Sequence, residues 1–131
     1  MMKPHQVCII DLDIYKCINP DISSDEVIIT EDRIDHCNLH DDAYDRNQDF
    51  MQQVLLEPDY ILQDKNRENT GLVIKRMLNA EKRLIEVVLR IKVPQDPSEY
   101  KNSIISCWEL SERRLENYLR SRKILYKAPE K

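Results

Sequence analysis

The sequence predicts an α+β fold: N-terminal helices, then an antiparallel meander of about four strands, then a closing C-terminal helix. Three observations carry this. Helical and extended stretches are segregated along the chain and short turns join the extended ones, which marks α+β rather than a parallel α/β sheet. Leu84 to Val93 alternates, with Ile85, Val87, Leu89, Ile91 and Val93 on one side and Glu86, Arg90 and Lys92 on the other. Only Leu84 and Val88 break this half-buried period of two. Finally, VIITEDRIDHCNLH (Val27–His40) reads as a strand running into a capped helix.

In order, Gln6–Ile10 and Ile14–Ile18 read as short strands or an edge hairpin, and NPDISSD (Asn19–Asp25) as a turn. Val27, Ile28 and Ile29 are β-branched and suit a buried strand. Thr30 is placed to N-cap the next helix, with Glu31 and Asp32 at the positive end of its dipole. That helix ends between Leu39 and Asp42. A second runs from about Ala43 to Leu56 with Phe50, Met51, Val54 and Leu55 as its apolar stripe, and Pro58 stops it. Strands follow at Tyr60–Gln63, Leu72–Leu78, Leu84–Val93 and Ser103–Leu110, the last after the loop PQDPSEYKN. Ser111 can cap a helix over Glu112 to about Arg122 that packs through Leu115, Tyr118 and Leu119.

At 131 residues the chain is read as one domain, 1–131, with residues 1–25 as peripheral N-terminal strands. It holds one Gly, so Asn, Asp and Pro must make the turns, and Gly-rich phosphate loops are excluded. Cys8, Cys17, Cys37 and Cys107 include no C-x-x-C pair, so they read as reduced core thiols. With no leader and no long apolar run, the expectation is a cytoplasmic protein with no membrane contact. The net charge of −4 hides an asymmetry. Residues 1–64 carry 4 Lys/Arg against 15 Asp/Glu, net −11, and residues 65–131 carry 16 against 9, net +7. A basic half suits a polyanionic partner, unless the two halves neutralise each other across the fold.

Several segments then fall in a recognisable order: I-Y-K-C-I, D-E-V-I-I-T-E-D-R-I-D-H, E-P-D-Y-I-L-Q-D, a Lys-bearing strand, V-V-L-R-I-K, Y-K-N-S-I-I-S and R-K-I-L-Y-K. Together, over about Ile14 to Lys127, they resemble the phage and mobile-element branch of the barnase/EndoU/colicin/RelE-like (BECR) nuclease fold. The resemblance implies N-terminal helices packed on a curved antiparallel sheet of about four strands. It implies a metal-independent ribonuclease of toxin or effector type, acting on transfer or messenger RNA, with an immunity or antitoxin protein as a further partner. It points to His36, to Lys75 in a middle strand, and to the Asn102–Ser106 segment. Relatives often carry Pro after the second His, where this chain has Asp41.

Metal-free RNA cleavage needs a base for the 2′-OH proton, an acid for the leaving 5′-oxygen, and donors or cations for the charge on the phosphorane. His36 and His40, four apart on one helix face, are candidates for base and acid. Lys75 or Arg90 would hold the phosphate, and Ser103 or Ser106 would donate hydrogen bonds to it. A regular strand sets those two serines on opposite faces, so at most one would act directly. Arg90, Asn102, Arg113, Arg120, Arg122 and Lys123 are the expected RNA contacts, with Arg114 beside them. Cys37 points away from the His36/His40 face, so no metal is expected, nor any other cofactor. Trp108 reads as core rather than as a base-stacking platform. The alternative to an enzyme is a non-catalytic RNA- or protein-binding relative. In that case the histidines are surface groups, Lys75 snorkels from the core, and the serines end strands.

Overall fold

The computed structural model describes residues 4–39, 41–78 and 83–129. The fold is α+β, but its sheet is not a four-stranded antiparallel meander. Seven strands form one mixed sheet in the order β1-β2-β6-β5-β4-β3-β7. They are β1 (Pro4–Ile9), β2 (Glu26–Thr30), β3 (Tyr60–Gln63), β4 (Thr70–Met77), β5 (Arg83–Arg90), β6 (Asn102–Leu110) and β7 (Ile124–Lys127). The helices are α1 (Leu12–Tyr15), α2 (Glu31–Asn38), α3 (Ala43–Asn47), α4 (Met51–Leu56) and α5 (Glu112–Ser121). Strands therefore precede α2, and α5 does not close the chain. The expected meander is present as the antiparallel run β3-β4-β5-β6. To it are added β7, antiparallel to β3, and the antiparallel pair β1-β2, joined to β6 by parallel pairing of Val27 with Asn102 and Ile28 with Ser103.

The extra strands have local causes. Asn102 is fully buried and clamps the parallel joint. Its amide donates to the carbonyls of Ser24 (2.7 Å) and Glu26 (3.0 Å), and its oxygen accepts from the Lys92 amide (2.7 Å). Ile14–Ile18, expected as a strand, is instead the one-turn α1 and its turn. Asp11 caps that helix by accepting from the Asp13 amide. Tyr15 plugs the core and donates to the Leu55 carbonyl at 2.7 Å. The single helix expected over 43–56 is α3, a 3-10 turn (Gln48–Phe50) and α4. The break falls at Asn47, whose buried amide donates to Ala43 O and to Glu109 Oε2. Such side-chain bonds compete with helical ones. Thr30 does occupy the N-cap position of α2, but its hydroxyl bonds the Asp32 carboxylate rather than a backbone amide.

Both faces of the sheet are covered. α2, α3 and α4 bury Cys37, Tyr44, Met51, Val54 and Leu55 against Ile85, Val87, Leu89 and Ile91. This confirms the inward face read from the alternation. On the other face α5 lays Leu115, with Tyr118 and Leu119, over Leu62, Leu72, Ile74, Leu84 and Val88. Leu84 and Val88 thus belong to a second core, and a strand between two cores loses clean alternation. Glu86, expected on an outer face, is buried between them. Left-handed backbone is taken by Asp41, Asp42 and Asn69, residues that tolerate it without glycine.

Candidate active site

The α5-covered face holds the chain's least conventional polar group. Glu86 of β5 is 0% exposed and lies across from Ile74 on β4 and Trp108 on β6. Neither carboxylate oxygen has a hydrogen-bond partner among the described residues. Burial pushes its carboxyl up to about 8, against the pull of Arg122 and Arg114 on α5, while Asp64 adds to the rise. At neutral pH it is a buried carboxylic acid that holds its proton. Perturbed carboxyls beside fixed cations are a recurring mark of functional sites.

Arg114 and Tyr118 stand four apart on α5 and share a helix face, and Arg122 follows as the extended residue that ends the helix. The Arg122 guanidinium lies over the Tyr118 ring, 4.6 Å from its centroid. Trp108, Arg114 and Tyr118 also wall an open cleft of about 520 Å³ that Leu39, Asp41, Arg46 and Glu109 complete. Glu109 is braced there by Asn47 (3.0 Å) and Arg46 (3.5 Å), and Asn47 in turn by Arg83 (3.1 Å). The cleft joins the end of α2, the start of α3, β6 and the start of α5, with Glu86 behind its Trp108–Tyr118 wall.

The expected site residues are not gathered in one place. His36 is exposed on α2, one turn before Leu39, whose amide bonds the His36 carbonyl at 3.2 Å. His40 lies outside the described residues. Lys75 sits on the face covered by α2–α4, between Val73 and Met77. Its ammonium donates to Glu57 O at 2.7 Å and lies 3.7 Å from Asp59 Oδ1, with 13% of the side chain exposed. It lines a separate cleft of about 700 Å³ with Leu56, Pro58 and Tyr126. Ser106 is on the opposite face, buried, its hydroxyl without a hydrogen-bond partner among the described residues. Ser103 shares that face. β6 bulges at Ile105, so Ser106 pairs with Val88 and Ser103 with Arg90, two residues on one side of β5. The bulge undoes the alternation that would have separated the two serines.

Arg90 is engaged within the fold. It grips Asp96 through both nitrogens (2.6 and 2.9 Å), and this hydrogen bonding holds the Asp96 carboxyl below its ordinary range. Asn102 is the clamp described above. Arg113, Arg120 and Lys123 are exposed on or beside α5, with Arg120 bonded to Asn117 at 3.0 Å. The missed residue is Glu86, and one signal could have found it. It stands in the same strand row as Leu84 and Val88, so a cover for those two also covers the carboxyl between them.

No helix among the described residues is long and apolar enough to cross a membrane. No family model, curated protein or solved structure gives a significant match to this chain.

Proposed function

We propose that the chain is a metal-independent endoribonuclease whose site is the cleft beside Glu86. One observation carries this: a carboxyl with no hydrogen-bond partner among the described residues is buried beside Arg114 and Arg122, at the back of a polar cleft. A charge-capable group is not kept in an apolar layer for stability, since a hydrocarbon of that size packs as well without the cost. The resemblance to the BECR nuclease fold supports the same reading, and we place the action in the cytoplasm, where RNA is at hand.

The chemistry follows from the protonation state. The substrate 2′-OH attacks the adjacent phosphorus as a base removes its proton. The bond from phosphorus to the 5′-oxygen then breaks as an acid protonates that oxygen. The products are a 2′,3′-cyclic phosphate and a free 5′-hydroxyl. Glu86, protonated at neutral pH, is the acid. His36, one turn from the cleft on α2, is the base, with His40 as its expected neighbour. Arg114 meets the phosphorane charge, and Ser106 donates from the sheet. Glu86 is closed off in this state, so α5 has to shift. That movement has to lift Leu115, Tyr118 and Leu119 from the second core and release Glu112 from Arg76.

The test is incubation of the purified protein with RNA in EDTA. Cleavage should survive the chelator, leave the cyclic phosphate and fail on substrate with 2′-deoxyribose at the cut. Glu86→Gln and His36→Ala should each slow it by about 10²–10⁴-fold. Full activity in both variants, or a strict need for a divalent metal, would reject the mechanism. A second reading, a non-catalytic RNA-binding protein, is favoured by one observation: Lys75 and Ser106 lie on opposite faces of the sheet. RNA binding without cleavage by the wild-type chain would select it.

A further inference from the structure

We infer that the cleft at Lys75 is a binding site for an apolar α-amino acid, whose carboxylate meets Lys75 and whose ammonium meets Asp59. The site lies apart from the Glu86 cleft and does not rest on the ribonuclease reading. At about 700 Å³ it falls within the roughly 300–1,000 Å³ usual for small-ligand sites. Its apolar walls are Ile14, Leu56, Pro58, Leu78 and Tyr126, with a few charged residues set among them. Such a lining suits a ligand that is apolar in body and polar at one end. Folding leaves Leu78 79% exposed and Leu56 37% exposed, so uncovered apolar surface converges on this cleft.

The charged groups decide the ligand. Lys75 is tied to the main chain by its Nζ, which donates to Glu57 O at 2.7 Å. An ammonium offers more than one N–H, so donors remain for a ligand. Asp59 is fixed in the same way, its Oδ2 accepting from the Arg76 amide at 2.8 Å. Its Oδ1 stands 3.7 Å from Lys75 Nζ, beyond hydrogen-bond length. The two charges are thus held side by side without closing on each other. An α-amino acid carries both its charged groups on one carbon, so its carboxylate can face Lys75 while its ammonium faces Asp59. The other charges in the lining disfavour a simple anion or cation. Arg76 borders the cleft, but Glu112 of α5 grips its guanidinium at 2.9 Å and offsets its charge. Glu57 is exposed and adds a negative charge. An anion alone would be repelled by Asp59 and Glu57, and a cation alone by Lys75. The Lys75 side chain is 13% exposed and that of Asp59 37%, so solvent screens the lysine less and the carboxylate is the stronger anchor.

Calorimetry on the full chain compares phenylalanine and leucine with 3-phenylpropionate, 2-phenylethylamine and glycine. Phenylalanine and leucine should bind saturably. The propionate lacks the ammonium and the amine lacks the carboxylate, so each should bind at least about tenfold more weakly than phenylalanine. Glycine lacks the apolar body and should not saturate. Asp59→Asn should weaken phenylalanine about tenfold while leaving 3-phenylpropionate no weaker. Lys75→Met should weaken phenylalanine by at least as much while leaving 2-phenylethylamine no weaker. Circular dichroism identifies a Lys75→Met variant that has not folded, and the test then rests on Asp59→Asn and the ligand series. The site is overturned if neither amino acid binds saturably, or if phenylalanine binds no better than either truncated analogue. Unchanged phenylalanine affinity in Asp59→Asn would overturn it too. The presence or absence of RNA cleavage bears on none of these outcomes, since the cleft beside Glu86 shares no lining residue with this one.

Discussion

Ionising Glu86 would place a charge between Leu84 and Val88 with no hydrogen-bond partner among the described residues. In the folded chain the carboxyl keeps its proton to about pH 8, whereas its ordinary value is 4.5. Between those values the unfolded chain releases a proton that the folded chain retains, so stability falls as pH rises. The slope is roughly 1.4 kcal/mol per pH unit; the contribution is complete below pH 4.5 and lost above about 8. Urea midpoints should therefore drop from pH 5 to pH 8 in the wild type. In Glu86→Gln, which has the same shape and no proton to lose, this drop should be much smaller. Asn102 makes a different demand. Asn102→Ala removes one side chain and strands the Lys92 amide and the Ser24 and Glu26 carbonyls, so we expect a loss of about 2–4 kcal/mol in denaturant unfolding.

At the scale of elements, β4 shows why the chain keeps its one glycine. A Cβ on Gly71 would fall 2.6 Å from Ile18 Cδ1 and 2.9 Å from Ile61 Cγ2, so the requirement is closeness of packing, not backbone freedom. Ile18 Cδ1 is the end of a side chain that can rotate away, whereas Ile61 Cγ2 sits on the β-branch of a fully buried strand residue and has little room to give. Gly71→Ala should cost about 1–3 kcal/mol through rearrangement, seen as a lowered melting temperature. β5 was the most legible element because Ile85, Val87 and Leu89 repeat every second residue over a buried face. Its other face was misread, because Glu86, Arg90 and Lys92 look like a solvated row until α5 is known to lie over part of it. That cover is tertiary and leaves no local signal beyond Leu84 and Val88. β7 is not legible because, unlike β3 of equal length, it fully buries none of its four residues, Ile124–Lys127, and so presents no apolar face. The two serines of β6, set on opposite faces by regular alternation, share one face, since a bulge inserts one residue without any marker in Ile104-Ile105.

For the whole molecule, the charge asymmetry of the sequence becomes a matter of which surface meets a polyanion. Arg113 and Arg120 are exposed on α5 and Lys123 is exposed just after it. If RNA lies there, binding must weaken steeply with salt, because each phosphate contact releases counterions. Replacing all three should reduce the slope of log affinity against log salt by about 2, measured by filter binding or anisotropy. A salt-independent affinity would sink the polyanion surface. The strand order has a consequence for how the molecule is made. β1 and β2 join the rest of the sheet only through β6, so Ile28 waits for Ser103. At about 5–20 residues per second, a ribosome leaves that acidic opening segment without its partner for about 4–15 seconds. A chain ending at Tyr100 should accordingly give an NMR spectrum without folded amide dispersion. During the wait Val27, Ile28 and Ile29 form an aggregation-prone run, flanked by Asp25 and Glu26 before it and Glu31 and Asp32 after it. Those four carboxylates repel neighbouring nascent chains and act as gatekeepers on the polysome, before there is any fold for them to stabilise.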